Sequence, residues 1–271
     1  MDGVELLQRN TQQSNLTTAR RRNRLRRNRR VTPIRERKGL EVRYRRMIIA
    51  LFRQSQERVQ ETLFNSGLIQ DTLSDDIRNA FSNLRAIETS TPSAVGAIVR
   101  QFTQQADEQH KRRFYDGLQR SFGVNVQGII QEDGLEEILT AAVEENVSLI
   151  KSIPNEYYDK VEQAVFRNIA GGGNGASLQN QIKKIGKTTD ARARLIARDQ
   201  NAKLNGRLNR GRQEALGVEE YIWVTSRDER VRSTHRDNNG KTFRWDNPPS
   251  ETGHPGEDIQ CRCVAQPVIE L

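Results

Sequence analysis

Tyr221-Ile-Trp-Val-Thr-Ser-Arg-Asp-Glu-Arg-Val-Arg-Ser-Thr-His235 opens the part of the chain that decides its fold. Two further segments complete it, Asn239-Gly-Lys-Thr-Phe-Arg-Trp245 and His254-Pro-Gly-Glu-Asp-Ile-Gln-Cys-Arg-Cys263. The last fifty residues thus hold both cysteines, both tryptophans and two of the three histidines of this 271-residue chain. Residues of these types concentrate in small dense cores and in chemical sites, so the end of the chain is the most informative part.

Local patterns in these segments predict three short strands. Alternation around Trp223 predicts a strand near residues 219–225. Asn239-Gly240 is the strongest two-residue hairpin signal, because both positions tolerate positive φ, and it predicts a second strand near residues 241–245. A third strand is expected near residues 260–265.

A short helix is predicted between the first two strands. Ser226 and Glu229 form a capping-box pattern, which predicts a helix over residues 228–235 with His235 at its end. The remainder of the chain has helical periodicity. The expected fold is therefore mainly α, with an elongated helical body and a small C-terminal α+β module.

The two cysteines admit more than one interpretation. On a strand, residues two apart face the same way, so both thiols would point to one side. Two thiolates with His235 and His254 would complete a tetrahedral zinc set, although C-x-C is a weaker signal than C-x-x-C. Cysteine is also one of the most buried residue types, and the sequence favours this core interpretation over a structural zinc. A disulfide between Cys261 and Cys263 is less favoured still, because its three-residue ring would be strained.

The order Trp223-x-Thr225-x-x-Asp228-x-Arg230-Val231-Arg232-x-x-His235, followed by Gly240 and Cys261-Arg262-Cys263, resembles the signature of a known family. That family is the phage head morphogenesis family, the Mu F-like minor head proteins. The signature residues are Trp223, Asp228, Arg230, Arg232, His235, Gly240, Cys261, Arg262 and Cys263. The resemblance extends upstream to Ala193, with one departure, since Asp199 stands where Thr or Ser is expected before a Glu.

The resemblance implies a structural and not an enzymatic protein. It implies a minor head component at the portal vertex, acting in procapsid assembly and DNA packaging. The partners that it implies are the portal protein and a major capsid or scaffolding protein. The location that it implies is the virion, at the head interior or portal vertex, with the host cytoplasm during assembly. No catalytic residue is assigned and no cofactor is required.

Positive charge is concentrated near the N-terminus. Residues 20–46 carry thirteen arginines and one lysine against two glutamates, a local balance of +12 in a chain whose net charge is +9. The densest part holds eight arginines, Arg20, Arg21, Arg22, Arg24, Arg26, Arg27, Arg29 and Arg30. Arginines neutralise phosphates without reading bases, so this arm predicts sequence-independent, salt-sensitive contact with double-stranded DNA. A solvated arm, or one that docks on an acidic protein surface, is the alternative.

Composition sets the outer bounds of the fold. Hydrophobic residues make up 34% of the chain and charged residues 29%, with a mean hydropathy of −0.80. These values predict a polar helical protein with a thin core. No run of eighteen apolar residues exists, so neither a membrane partner nor a membrane span is expected.

The positions of glycine and proline divide the chain into five predicted segments. Residues 1–39 form a basic arm, expected to be mobile when unbound, and residues 40–170 form a helical body. Residues 171–175 are a Gly-rich connector, residues 176–217 are helices that lead into the signature, and residues 218–271 are the C-terminal module. In the body, Pro154 is expected to start a new helix, and His110 is expected on the surface.

The alternative function is a metal-dependent nuclease of His-Asn-His type, acting on phage or host DNA. His235, Asp237, Asn238 and His254 beside a cysteine-bound zinc would supply the groups for it. The sequence lacks a histidine beside an acidic residue on a hairpin strand, and it lacks the helix that would carry the second metal ligand. The structural function is therefore favoured over the nuclease.

Overall fold

The computed structural model of the chain describes residues 31–65, 74–90, 92–123 and 134–269. These residues divide into two compact units. The first contains the described residues within Met1–Arg37, Thr103–Ala142 and Asp199–Leu271, and the second contains those within Lys38–Phe102 and Val143–Arg198. Each unit therefore combines stretches that are distant in the sequence. The five linear segments predicted above follow a different division, which stays a prediction.

Helices dominate the described residues, as predicted. The helices are α1 (Lys38–Gln60, continued by a π-helical turn over Glu61–Asn65), α2 (Ser74–Ser90), α3 (Pro92–Phe122), α4 (Glu136–Ala170), α5 (Gly175–Ala215) and α6 (Ser233–Asp237). The strands are β1 (Glu220–Val224), β2 (Thr242–Arg244) and β3 (Val264–Pro267). The fold class is thus confirmed as mainly α with a small α+β module. None of the helices in the described residues is long and apolar enough to cross a membrane.

One predicted helix boundary is wrong. Pro154 lies inside α4 and does not start a new helix. A proline within a helix removes one hydrogen bond but need not end the helix where packing continues on both sides. Ile150 and Ile153 before it and Tyr157 after it are all buried, so one apolar face continues through the proline.

The connector between α4 and α5 is a defined pair of caps. The N–H of Gly173 donates to the carbonyl of Asn168 at 2.8 Å, which closes the last turn of α4. Gly172 has φ +61, a conformation that favours glycine. The side-chain oxygen of Asn174 then accepts the N–H of Ser177 at 2.8 Å and so caps α5.

The described residues of the second unit are helical apart from the connector over residues 171–174. Its core contains Tyr44 and Phe52 of α1, both almost fully buried. The ring of Tyr44 stacks on Phe102 with centroids 3.8 Å apart, and its hydroxyl donates to Asn146 at 2.7 Å. These contacts join α1, α3 and α4 within the unit.

The first unit contains the sheet, whose strand order is β2-β1-β3 with both pairs antiparallel. Tyr221 is opposite Phe243, and Trp223 is opposite Ala265. Alternation along β1 buries Tyr221 and Trp223 on one face, as the sequence pattern predicted. This face forms a cluster with Trp245, Cys261 and Cys263.

The segment between β1 and β2 differs from the prediction in two places. The helix expected over residues 228–235 is instead a turn followed by α6, because the carboxylate of Asp228 accepts the N–H of Arg230 at 3.1 Å and closes a local turn. Gly240 has φ +84, as a turn glycine should. Asn239 keeps ordinary backbone angles and uses its side chain to accept the N–H and hydroxyl of Thr225, both at 3.0 Å. The turn at Gly240 is therefore the last part of a long connection between β1 and β2, and the two strands are not joined by a two-residue hairpin.

Residues 31–37 are packed into the first unit. Val31 and Ile34 are buried and join a core with Phe114, Leu118 and Leu216. The described chain is thus packed into this unit from residue 31 onward.

Candidate metal-binding site

Three of the four residues that the sequence suggested as zinc ligands meet in the first unit. His235 lies on α6, and Cys261 and Cys263 lie on the segment that enters β3. Trp223 of β1 packs against all three residues. Its ring is 5.4 Å from the ring of His235 in an edge contact, and it shares a buried cluster with both cysteines. The third strand begins at Val264 and not near residue 260 as predicted, but the two Sγ atoms still lie within 4.8 Å of each other.

The geometry of the three side chains is compact. The Nδ1 atom of His235 is 3.5 Å from the Sγ atom of Cys261 and 3.5 Å from the Sγ atom of Cys263. The three ligand atoms all lie within 4.8 Å of one another, and no other group of three or more His, Cys, Asp or Glu side chains in the described residues meets that condition. All three residues are at least 95% buried.

Asp258 orients the ring of His235. Its Oδ2 atom lies 2.8 Å from the Nε2 atom of His235, a contact that favours a proton on Nε2 and turns Nδ1 toward the sulfurs. Arg232 fixes the same loop by donating to the carbonyl of Ile259 at 2.7 Å. Sequence analysis did not identify Asp258. Its position three residues before Cys261 was the only signal that could have indicated it.

The two thiols have unequal electrostatic environments. The hydrogen bond from the Cys263 thiol, together with the backbone N–H groups of Gly256 and Cys263, lowers the pKa of Cys261 to about 6. The same thiol-to-thiol hydrogen bond, together with burial, raises the pKa of Cys263 above its ordinary value. The pair therefore favours one thiolate beside one thiol.

Charged signature residues pair around the cysteines. Arg262 forms an ion pair with Asp228, and its second guanidinium nitrogen donates to Asp228 at 2.7 Å. This hydrogen bond holds the pKa of Asp228 below its usual range. This pair joins the segment after β1 to the segment before β3. Arg262 stands between the two cysteines in the sequence, and its side chain is engaged with Asp228.

His254 is placed elsewhere in the same aromatic core. Its Nδ1 atom is 2.9 Å from the hydroxyl of Tyr221, and its ring lies 4.9 Å from that of Trp245. Burial lowers the pKa of His254 below its ordinary value. The structure therefore does not bring His254 into the group formed by His235 and the two cysteines.

The remaining residues of the nuclease hypothesis do not join the site. The side-chain nitrogen of Asn238 donates to the hydroxyl of Thr252 at 3.1 Å. Asp237 ends α6 with an exposed side chain. Among the described residues, neither belongs to the group around His235.

The predicted DNA-binding arginines, Arg20, Arg21, Arg22, Arg24, Arg26, Arg27, Arg29 and Arg30, lie outside the described residues. The segment that follows them is anchored to the signature. Arg35 donates to the carbonyl of Thr225 at 2.8 Å and to that of Arg262 at 3.4 Å. Gln266 of β3 donates to the carbonyl of Val31 at 2.7 Å. Sequence reasoning missed this anchor, because its partners are more than 180 residues apart in the chain.

Helix α5 completes the anchor. Asn205 and Asn209 donate to the carbonyl of Ile34 at 2.9 and 3.0 Å. On the same helix, the carboxylate of Asp199 accepts the N–H of Gln260 at 2.6 Å. The residue at which this chain departs from the family pattern therefore holds the loop that precedes Cys261.

His110 is buried, so the prediction of a surface histidine is wrong. Its Nε2 atom lies 3.2 Å from the side-chain oxygen of Asn209, and its Nδ1 atom accepts from Arg212 at 2.8 Å. Arg212 also forms an ion pair with Asp107. Burial and the charge of Arg212 lower the pKa of His110 to about 3, so the ring is neutral at pH 7.

Comparisons with known proteins agree with the resemblance seen in the sequence. The chain is 32% identical over 250 residues to an uncharacterized protein of Haemophilus influenzae, and the alignment covers 89% of this chain and 56% of that protein. The chain thus spans about half the length of the curated relative that it matches. No solved structure matches the chain. Residues 159–266, which contain the whole signature, match the family described as "Phage Mu protein F like protein", so the resemblance to Mu F-like phage head proteins is confirmed.

Proposed function

We propose that this protein is a phage minor head protein with a structural role at the portal vertex, in procapsid assembly and DNA packaging. The observation that carries the proposal is the family match over residues 159–266. This likeness indicates a head morphogenesis protein found in the virion. The portal protein and a major capsid or scaffolding protein are the proposed partners, and the host cytoplasm is the proposed location during assembly.

The arrangement of the signature supports a structural role. Its polar side chains pair within the module, as in the ion pair between Asp228 and Arg262 and the hydrogen bond between His235 and the neighbouring Asp258. His235, Cys261 and Cys263 are buried, so they do not line an open cleft for a polymeric substrate. A buried, internally paired cluster favours a stabilising role for these residues.

The anchor of residues 31–37 supports a DNA contact beside this module. Arg35, Ile34 and Val31 are bonded to the unit that carries the signature, so the eight arginines before them are tethered to that unit. We propose that these arginines contact packaged double-stranded DNA without sequence preference. A tether to a folded module raises the effective concentration of such an arm at its target.

Duplex binding tests the arm directly. The full chain, a chain without residues 1–30 and a variant with the eight arginines changed to lysine are compared by fluorescence anisotropy over a series of salt concentrations. The truncated chain should bind more weakly, and the salt slope should become shallower by about 0.9 for each phosphate that the arm neutralises. The lysine variant is the matched control and should keep most of the binding. Unchanged binding by the truncated chain would remove the arm from the proposal.

Head assembly tests the structural role. A phage with the gene disrupted should yield heads that are misassembled or poor in DNA, and the full chain supplied in trans should restore them. A tagged chain should be found at one vertex of the head. Normal, DNA-filled heads without the protein would contradict the proposal.

The nuclease alternative has a separate test. Supercoiled DNA incubated with the protein and Mg²⁺ or Mn²⁺ should stay intact. Cleavage that disappears on His235→Ala would establish an enzyme in place of a structural protein.

A further inference from the structure

Two sulfurs and one nitrogen converge at the end of the sheet, and hydrogen bonds within the protein do not pair all three atoms. Both Sγ atoms are 3.5 Å from the same Nδ1 atom of His235. An imidazole nitrogen carries either one in-plane lone pair or one N–H, so it makes one well-aligned hydrogen bond and not two. One of the two approaches must therefore lack a hydrogen bond when the site contains only protein.

We infer that His235, Cys261 and Cys263 bind a zinc ion through Nδ1 and the two Sγ atoms, and that Asp258 positions His235 for this role. The inference is independent of the proposed head function. It also changes the ligand set suggested by the sequence, because His254 is engaged with Tyr221 and is not a ligand.

The distances match those of a tetrahedral zinc site. Zinc binds cysteine sulfur at about 2.3 Å and histidine nitrogen at about 2.0 to 2.1 Å, so tetrahedral angles place nitrogen and sulfur about 3.6 Å apart. Both nitrogen-to-sulfur distances in this site are 3.5 Å. A cation between the three atoms would accept one lone pair from each of them.

The surroundings of the site are those that metal ligands require. A ligating histidine needs its second nitrogen bound to a carboxylate or carbonyl, and Asp258 accepts from Nε2 of His235 at 2.8 Å. A thiolate needs hydrogen-bond donors, and the backbone nitrogens of Gly256 and Cys263 each lie 3.4 Å from the Sγ atom of Cys261. The indole N–H of Trp223, in the same cluster, is a further hydrogen-bond donor to the side chain of Cys263.

The chemistry of the ligands selects the metal. Two thiolates and one imidazole suit zinc, whereas Mg²⁺, Ca²⁺ and Mn²⁺ prefer oxygen ligands. Three protein ligands leave one tetrahedral position, which a water molecule fills. The ion would join α6 to the segment before β3, and so would fasten a small module whose sheet has only three strands.

Metal content tests the inference on the full chain, purified without chelator and analysed by inductively coupled plasma mass spectrometry. One zinc per chain is expected. Cys261→Ser, Cys263→Ser and His235→Ala should each abolish zinc binding, whereas Asp258→Asn should weaken it about 10- to 100-fold. His254→Asn is the matched control, because His254 is buried in the same core, and it should keep the zinc. Loss of zinc from a folded His254→Asn protein would overturn the three-ligand set.

Cobalt substitution keeps the test decisive if the ligand variants fail to fold. Co²⁺ added to the metal-free full chain should give intense tetrahedral ligand-field bands and a near-ultraviolet charge-transfer band from thiolate. Added Zn²⁺ should abolish both. A folded chain that contains no zinc and gives no thiolate-to-cobalt band would overturn the inference.

Discussion

Two buried histidines of the first unit have opposite surroundings. His110, on α3, has each ring nitrogen matched to one side chain of α5, Asn209 on one side and Arg212 on the other. His235, on α6, has one nitrogen matched to Asp258, while the other faces two sulfurs at equal distance. Burial alone therefore does not distinguish a structural histidine from a metal ligand.

The difference lies in how many partners each nitrogen has. The network of His110 is closed, since Arg212 supplies the donor that Nδ1 needs and Asp107 balances the charge of Arg212. At His235, Nδ1 faces two sulfurs and makes a well-aligned hydrogen bond to only one of them, whereas a cation would engage all three atoms. We expect the two histidines to respond differently to metal removal, to charge removal and to acid.

Metal removal should produce the largest difference. A strong chelator should lower the stability of the wild-type protein by about 4 kcal/mol, if free zinc otherwise exceeds its dissociation constant about 1,000-fold. Thermal unfolding with and without chelator measures this destabilisation. His110→Gln should respond to the chelator as the wild type does, and Cys263→Ser should not respond. If the chelator left the melting temperature of the wild type unchanged, His235 would be a structural histidine like His110 and not a metal ligand.

Removal of charge at the His110 network should have the next largest effect. Asp107→Asn leaves Arg212 buried without its negative partner, and such changes cost about 3 kcal/mol. Urea unfolding of the variant and the wild type measures the difference. Asp75→Asn is the matched control, because Asp75 pairs with Arg78 on the exposed face of α2 and should change stability by less than about 0.5 kcal/mol. Equal effects of the two changes would contradict a buried network.

Acid should lower the folding stability through His110 by a smaller amount than the loss of the Asp107 charge does. The pKa of His110 is lowered to about 3, so the unfolded chain binds a proton as the pH falls below about 6.5 while the folded chain does not. The stabilisation is therefore present above that pH and is lost toward pH 3. Between pH 7 and pH 5 the decrease in stability through this residue is about 2 kcal/mol. His110→Gln should flatten the wild-type stability curve over that range, and parallel curves would contradict the assignment.

The anchor of the basic arm should give the smallest effect. Arg35→Met removes two hydrogen bonds to backbone carbonyls while keeping a long apolar stem, and it should cost about 1.5 kcal/mol. Arg37→Met is the control in the same segment. Chemical unfolding measures both variants, and limited proteolysis after residue 30 should be faster in Arg35→Met only. Equal proteolysis would mean that Arg35 does not hold the segment.

Local patterns predicted the local parts of this fold. Alternation around Trp223 predicted β1 and its buried face, because a strand's side-chain period follows directly from its backbone. Spacing of the cysteines predicted that both thiols share one side. Of the two-residue turn predicted at Asn239-Gly240, only the positive φ of Gly240, at +84, is confirmed.

Features that depend on distant residues escaped prediction. His110 has no revealing sequence neighbour, and its partners Asn209 and Arg212 come from a helix about a hundred residues later. The anchor of Arg35 and the role of Asp199 likewise rest on bonds across the chain. In the site itself, His254 and His235 looked equivalent in sequence, and only the hydroxyl of Tyr221 and the carboxylate of Asp258 separate their roles.

Zinc K-edge X-ray absorption on the purified full chain tests the central claim most directly, because it reads the atoms around the metal. The account predicts two sulfur neighbours at about 2.3 Å and nitrogen or oxygen neighbours at about 2.0 to 2.1 Å. Both shells should stay unchanged in His254→Asn, whereas Cys263→Ser should contain no zinc and give no zinc edge. A spectrum fitted by nitrogen and oxygen alone, or a folded chain without zinc, would contradict the account.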